Sequence, residues 1–208
     1  GNEPRFKALE SVLEKGLPTL KSDFIDKLLS HFSLEDLYGK SIKDKRGGDN
    51  NIHSWDIEIK GSVSKQQAEI LNQLFKQRRK KQWAEEIGID WMDGMALTLE
   101  QINTFIDLPK KQLKTLLEDL TSKGYLKFEH PKKLVKIQTE NGISTSREYD
   151  ETKPKGYNIV TGKLSFEINK VLNPKDIAPT LVATDVSRLA VPDGNGLRKL
   201  TIREGLRL

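Results

Sequence analysis

The sequence has no cysteine among its 208 residues, and only two methionines and three histidines. Without cysteine there is no disulfide, no thiolate metal ligand and no cysteine nucleophile. The histidines, His31, His53 and His130, are scattered without ligand spacing, so no metal site is expected. No apolar run approaches the roughly 20 residues of a membrane-spanning helix, and no stretch reads as a signal peptide. No membrane partner is therefore expected. A Gly-rich strand–loop–helix nucleotide motif and a nucleophile elbow are both missing, since Gly47-Gly48 sits in a polar loop. Asp90-Trp91-Met92-Asp93 places two acids beside an aromatic, but no second acidic motif completes a divalent-ion site. Internal repeats and low-complexity tails are also absent. Together these absences argue against a self-contained enzyme.

What the chain does have is clustered positive charge. The net charge is only +5, from 35 basic and 30 acidic residues. Yet Lys76-Gln77-Arg78-Arg79-Lys80-Lys81 holds five cations in six positions. Lys110, Lys111, Lys114, Lys123, Lys127, Lys132 and Lys133 form a second concentration. Such residues neutralise phosphates, the sequence-independent part of DNA affinity.

The patterning predicts an α+β chain. Arg5 to Glu14 reads as a short helix ended by Gly16 and Pro18. Asp23 to Phe32 reads as a second, with Phe24, Ile25, Leu28, Leu29 and Phe32 at helical spacing. Ser54 to Lys60 alternates, with Trp55, Ile57 and Ile59 on one face, as a half-buried strand would. Ser64 and Gln67 make a capping box. They open a long helix expected to run through the basic cluster and Trp83 to Gly88.

Residues 97–137 read as a local module. Thr98 caps a helix bearing Leu99, Ile102 and Phe105, and Leu108-Pro109 turns. A second helix from Lys110 to Lys123 buries Leu113, Leu116, Leu117 and Leu120 and stops at Gly124. A strand from Tyr125 to Phe128, a turn at His130–Lys133 and a return over Leu134–Ile137 complete it. Helix, turn, helix and two-stranded wing resemble the winged-helix superfamily. That fold implies DNA contact by Lys110, Lys111 and Lys114 on the solvent face of the second helix. Winged helices also pack on proteins, so that role stays open. Further on, Asn141-Gly142 signals a hairpin between Val135–Thr139 and Ser144–Tyr149. Tyr157–Val160 and Lys163–Ile168 read as strands, and Asp193-Gly194-Asn195-Gly196 as a turn. Thr201 caps a final helix starting near Ile202.

Reading bases in the major groove requires forked donors or paired donor–acceptors. Lys45, Arg46, Asn50, Asn51 and His53 concentrate these in one Gly-containing loop. Arg78, Arg79, Lys80 and Lys81 suit phosphates better.

The tail carries the most specific signal. Thr180-Leu181, then Arg198, Leu200, Thr201, Arg203 and Glu204, resemble the C-terminal conserved block of bacterial DNA cytosine-5 methyltransferases. There a Thr-Leu pair precedes an Arg-x-Leu-Thr-x-Arg-Glu helix. The resemblance implies a target-recognition region with a winged-helix insertion, cut from a longer chain. Residues 1–91 would form its helical and β N-terminal part, 92–137 the insertion, and 138–208 a β-rich subdomain ending in the conserved helix. It implies that loops such as the one at residues 45–53 read double-stranded DNA and that Thr180 lies near the target nucleotide's backbone. Leu181, Arg198, Leu200, Thr201, Arg203 and Glu204 would be structural, tying this region to the catalytic domain of the same parent chain. The parent would flip a cytosine out of duplex DNA and methylate it with S-adenosylmethionine in a bacterial cytoplasm. This segment alone would hold no cofactor and be inactive. A stand-alone winged-helix regulator and a protein-interaction module are the alternatives.

Overall fold

A computed structural model describes residues 8–44, 50–90, 94–161, 166–177 and 186–207. In chain order its helices are α1 (Asp23–His31), α2 (Leu34–Leu37), α3 (Lys65–Gln77), α4 (Lys81–Ile87), α5 (Leu99–Phe105), α6 (Lys110–Ser122) and α7 (Ile202–Leu206). Its strands are β1 (Ser41–Ile42), β2 (Asn51–Ile52), β3 (Leu126–Glu129), β4 (Lys132–Thr139), β5 (Gly142–Tyr149), β6 (Gly156–Ile159), β7 (Lys170–Val171), β8 (Leu189–Asp193) and β9 (Gly196–Lys199). The class is α+β, as the patterning predicts. The chain divides into two compact units, residues 1–59 with 163–208 and residues 60–162.

The first unit is built on a mixed sheet in the order β2-β1-β7-β8-β9. β1 with β2 and β7 with β8 are parallel, while β1 with β7 and β8 with β9 are antiparallel. Ser22 caps α1 by accepting from the Ile25 N–H, and the helix buries Phe24, Ile25 and Leu28. These join Leu37, Ile42, Ile52, Ile57, Ile168, Val171, Ala190 and Leu197 in one core cluster. Phe166 stacks on Phe24 with ring centroids 4.4 Å apart. Asp193–Gly196 closes the β8–β9 hairpin, with Gly194 at φ +58°.

Two expectations for this unit are corrected. Ser54 to Lys60 is a succession of turns, not a strand. Trp55 and Ile57 are buried as the alternation requires. However, Asp44 accepts from the Ser54 N–H and Asp56 from the His53 N–H, both at 2.8 Å. Carboxylates that capture backbone donors compete with strand pairing, and Glu58 adopts φ +53°. The helix expected over Arg5–Glu14 is, within the described residues, a single 3-10 turn at Leu9–Ser11. Its Leu9 and Glu10 N–H groups donate to Asp176 and Pro174 instead.

In the second unit α3 packs on α6 and β6, and α5 and β3 also pack on α6. The Ser64/Gln67 capping box starts α3 and Thr98 caps α5 as predicted, and Gln101 completes a second capping box there. Gly124, at φ +85°, follows the end of α6. The predicted single helix to Gly88 is broken into α3 and α4, with Lys80 extended at ψ 132°. In a continuous helix Lys76 and Lys80, and Arg78 and Lys81, would be like-charge neighbours one turn apart, which disfavours it, and beyond the break Trp83 meets Phe105 at 5.8 Å between centroids. Gly88 ends α4 at φ +71°.

The strand pairing also differs from expectation. β3 does not pair with the segment that follows it; its antiparallel partner is β6. Between them in sequence, β4 and β5 pair with each other over eight residues each. Thr139 faces Gly142, so the turn is Glu140-Asn141, one position earlier than expected, with Gly142 at φ +115°. The nearby, strongly templated partner wins because closing a short loop costs the least chain entropy. Lys163–Ile168 falls partly outside the described residues, and Phe166–Ile168 is not strand.

Candidate nucleic-acid interface

The C-terminal block forms a buried charge network in the first unit. The Arg198 guanidinium, 3% exposed, forks onto Glu204 with both nitrogen–oxygen distances 2.7 Å. Its Nε donates to Asp193 Oδ2 at 2.8 Å, and its two terminal nitrogens also reach the Lys199 and Glu14 carbonyls. Asp193 accepts in turn from the Gly16 and Leu17 N–H groups, and Glu204 from those of Glu14 and Thr201. Thr201 Oγ1 completes a capping box with Glu204. Burial works against the Glu204 charge, but the Arg198 and backbone hydrogen bonds outweigh it and hold the carboxyl at about 2. Hydrogen bonding from Arg198, then from the Gly16 and Leu17 amides, also lowers Asp193. Arg198 itself is raised, chiefly by its bonds to Glu204. With the Arg198, Glu204 and Asp193 side chains satisfying one another, this network can staple α7 to β9 and the N-terminal segment.

Not every residue of the block takes part. Leu200 packs, half-buried, beside Leu9, Leu172, Leu189 and Val191. The Arg203 side chain is 74% exposed and only 3.7 Å from Glu14. Thr180 and Leu181 lie outside the described residues.

The candidate base-reading loop splits in two. Lys45 and Arg46 lie outside the described residues. Asn50 is exposed and Asn51 half-buried at the start of β2. His53 is 4% exposed, stacked on Trp55 at 4.4 Å and paired with Asp56 at 3.1 Å. Its imidazole is built into the fold rather than presented to a groove.

Within the basic run, Arg79, Lys80 and Lys81 are exposed. Arg78 instead turns inward, donating to the Gly94 carbonyl at 3.2 Å and lying over Phe75. On α6, Lys110, Lys111 and Lys114 are all exposed. Lys110 pairs with Glu100 at 2.7 Å, and Lys114 stands 3.9 Å from Glu118. Such exposed pairs are weak, so both lysines can exchange a carboxylate for a phosphate.

A second group of cations surrounds a cavity of about 190 Å³ bordered by Arg78, Lys127, Lys132 and Arg147, with Glu129 and Asn158 on its wall. Asn158 donates to the Gly94 carbonyl and to Glu129 Oε1, at 2.9 and 3.1 Å. Glu129 Oε2 accepts from the Tyr149 hydroxyl at 2.7 Å. That bond, with the carboxylate's charge, raises Tyr149. Arg147 and Asn158 escaped the sequence reading because their neighbours come from β3, β4 and β6. The alternation of Lys132, Leu134 and Lys136 was the available signal.

Among the described residues no group of three His, Cys, Asp or Glu side chains could hold a metal ion. None of their helices is long and apolar enough to cross a membrane.

No protein-family model and no solved structure matches the chain. It is 59% identical over 200 residues to the Type II methyltransferase M.NlaIV of Neisseria lactamica. It is 57% identical, also over 200 residues, to the Type II methyltransferase M.NgoBV of Neisseria gonorrhoeae. Both alignments take in 96% of this chain and 45% of the relative. The Type II methyltransferase M.BanI of Aneurinibacillus aneurinilyticus is 38% identical over 176 residues, which are 85% of this chain and 34% of that protein. Over nearly its whole length, then, the chain is similar to a stretch of under half of these Type II methyltransferases.

Proposed function

We propose that this chain is the target-recognition region of a DNA cytosine-5 methyltransferase of a restriction–modification system. The observation that carries the reading is the similarity of 96% of the chain to only 45% of two Type II methyltransferases. The C-terminal block supports the cytosine-5 class through Arg198, Leu200, Thr201, Arg203 and Glu204. The parent enzyme would use S-adenosylmethionine to methylate a cytosine flipped from duplex DNA in the bacterial cytoplasm. No residue here is assigned to that cofactor or to attack on the base, because cysteine and a Gly-rich nucleotide loop are both absent. Those parts belong to the catalytic domain of the parent chain, and this region selects and holds the site. α5, α6 and the β3–β6 pair serve as a winged-helix element, with Lys110, Lys111 and Lys114 on phosphates. Arg79, Lys80 and Lys81 add further phosphate contacts, and Asn50 and Asn51 contact base edges.

Selection from a random pool of DNA duplexes by the 208-residue chain, at two salt concentrations, tests this. Enrichment of a short motif is the expected result. Salt-sensitive retention without a motif would assign base reading to the rest of the parent. No retention at low salt would overturn the reading in favour of a protein-interaction module.

A further inference from the structure

Exposed two-stranded ribbons are expensive to leave bare, because neither face is covered and apolar side chains meet water. The β4–β5 hairpin does so nonetheless. Its strands, Lys132–Thr139 and Gly142–Tyr149, pair with each other in unbroken register. Ile143 is 70% exposed and Leu134 50%.

Register and alternation fix which side chains share a face. Lys132 faces Tyr149, Leu134 faces Arg147, Lys136 faces Thr145 and Gln138 faces Ile143, all on one side. That side carries Lys132, Lys136 and Arg147 and no carboxylate. The opposite side carries Lys133 against Glu148 and is balanced. The asymmetry follows from the register alone. The cationic face is also graded along its length: cations occupy its root and middle, and Gln138, Ile143 and Thr145 lie toward the tip. At the root it opens into the cavity bordered by Lys127, Glu129 and Asn158, where the Glu129 carboxylate is held by the Tyr149 hydroxyl and Lys127.

We propose that the Lys132–Lys136–Arg147 face of the β4–β5 ribbon is a duplex-DNA contact surface that enters the major groove. The inference rests on the DNA-recognition reading above and names the element that carries it. An eight-residue ribbon extends about 27 Å at ~3.4 Å per residue, and a major groove about 12 Å wide admits a two-stranded ribbon. Phosphates flanking the groove meet Lys132, Lys136 and Arg147. Gln138 offers the paired donor and acceptor that match adenine, Thr145 a hydroxyl, and Ile143 an apolar surface for a thymine methyl.

The test compares duplex binding by the intact chain and by a Lys132→Ala, Lys136→Ala, Arg147→Ala variant, with Lys133→Ala as the opposite-face control. The triple variant loses on the order of tenfold in affinity at low salt, and its log–log salt slope falls by roughly 2 to 3. Lys133→Ala shifts both by no more than one contact. Acetylation footprinting of the unaltered chain keeps the result independent of variant folding. Bound duplex should protect Lys132 and Lys136 and leave Lys133 reactive. Unchanged affinity in the triple variant, or equal reactivity of the three lysines with and without DNA, overturns the ribbon assignment and leaves the DNA reading intact. Failure of the unaltered chain to bind any duplex overturns both.

Discussion

Removing the Arg198 guanidinium would leave Glu204, fully buried, and Asp193, nearly so, without their cation. An uncompensated buried carboxylate is far more costly than the net worth of the pair, so Arg198→Ala should destabilise by about 3–5 kcal/mol. Arg198→Lys should recover little, because one ammonium cannot fork onto Glu204 and also reach Asp193. Urea unfolding measures both; a loss under about 1 kcal/mol in Arg198→Ala would contradict the network. The same residues set a pH dependence. Glu204 titrates at about 2 when folded, against an ordinary 4.5. Its contribution is therefore fully present above about 4.5 and is lost as pH falls toward 2. Glu204→Gln should flatten the acid limb of stability against pH; an unaltered limb would show that other groups dominate it. The sequence disclosed Thr201 as a cap, a signal that lies within one helical turn, while the structure added Glu204 as its capping-box partner. It did not disclose that Arg198 meets the Glu14 carbonyl, because 184 positions separate them in the chain.

Local signals located elements well and their partners poorly. Ser64, Thr98 and Thr201 each begin a helix because the hydroxyl captures an N–H only three residues away. The Ser54–Lys60 alternation foretold which side chains are buried but not the backbone, since Asp44 and Asp56 take its donors. Strand pairing turns on Gly156, where an added Cβ would collide with the Leu97 backbone. Leu97 and Tyr157 exchange backbone hydrogen bonds at 3.0 and 2.7 Å at that point. Gly156→Ala should therefore cost about 1–3 kcal/mol, as overpacking does. By contrast Gly205 lies in α7 with open space around it. Gly205→Ala should stabilise by roughly 0.5–1 kcal/mol. Thermal unfolding of the two variants should shift in opposite directions, and a common sign would show that backbone crowding does not govern β6.

At the scale of the molecule, residues 60–162 are one continuous segment with their own core. Leu71, Leu74, Leu113, Leu117 and Leu120 are essentially inaccessible to solvent. A peptide of residues 60–162 should fold alone and melt cooperatively, with helical circular dichroism. A non-cooperative melt would mean the segment needs the remainder of the chain. Residues 1–59 need 163–208 to complete their sheet, because β1 pairs with β7. They should not fold as an isolated N-terminal peptide.

The sequence by itself determined the α+β class, the starts of α1, α3, α5, α6 and α7, the buried stripes of α1, α3 and α6, and a resemblance concentrated in the last thirty residues. These depend on period, capping and composition, all readable within a few positions of chain. Only the tertiary structure decided that β3 pairs with β6 and that Arg198 is an interior staple. It also placed His53 and Arg78 in packing roles, and it left one face of the β4–β5 ribbon with cations as its only charged residues. Pairing and burial are choices among distant segments competing for the same backbone donors and the same apolar contacts. A reading limited to neighbours along the chain does not contain that competition.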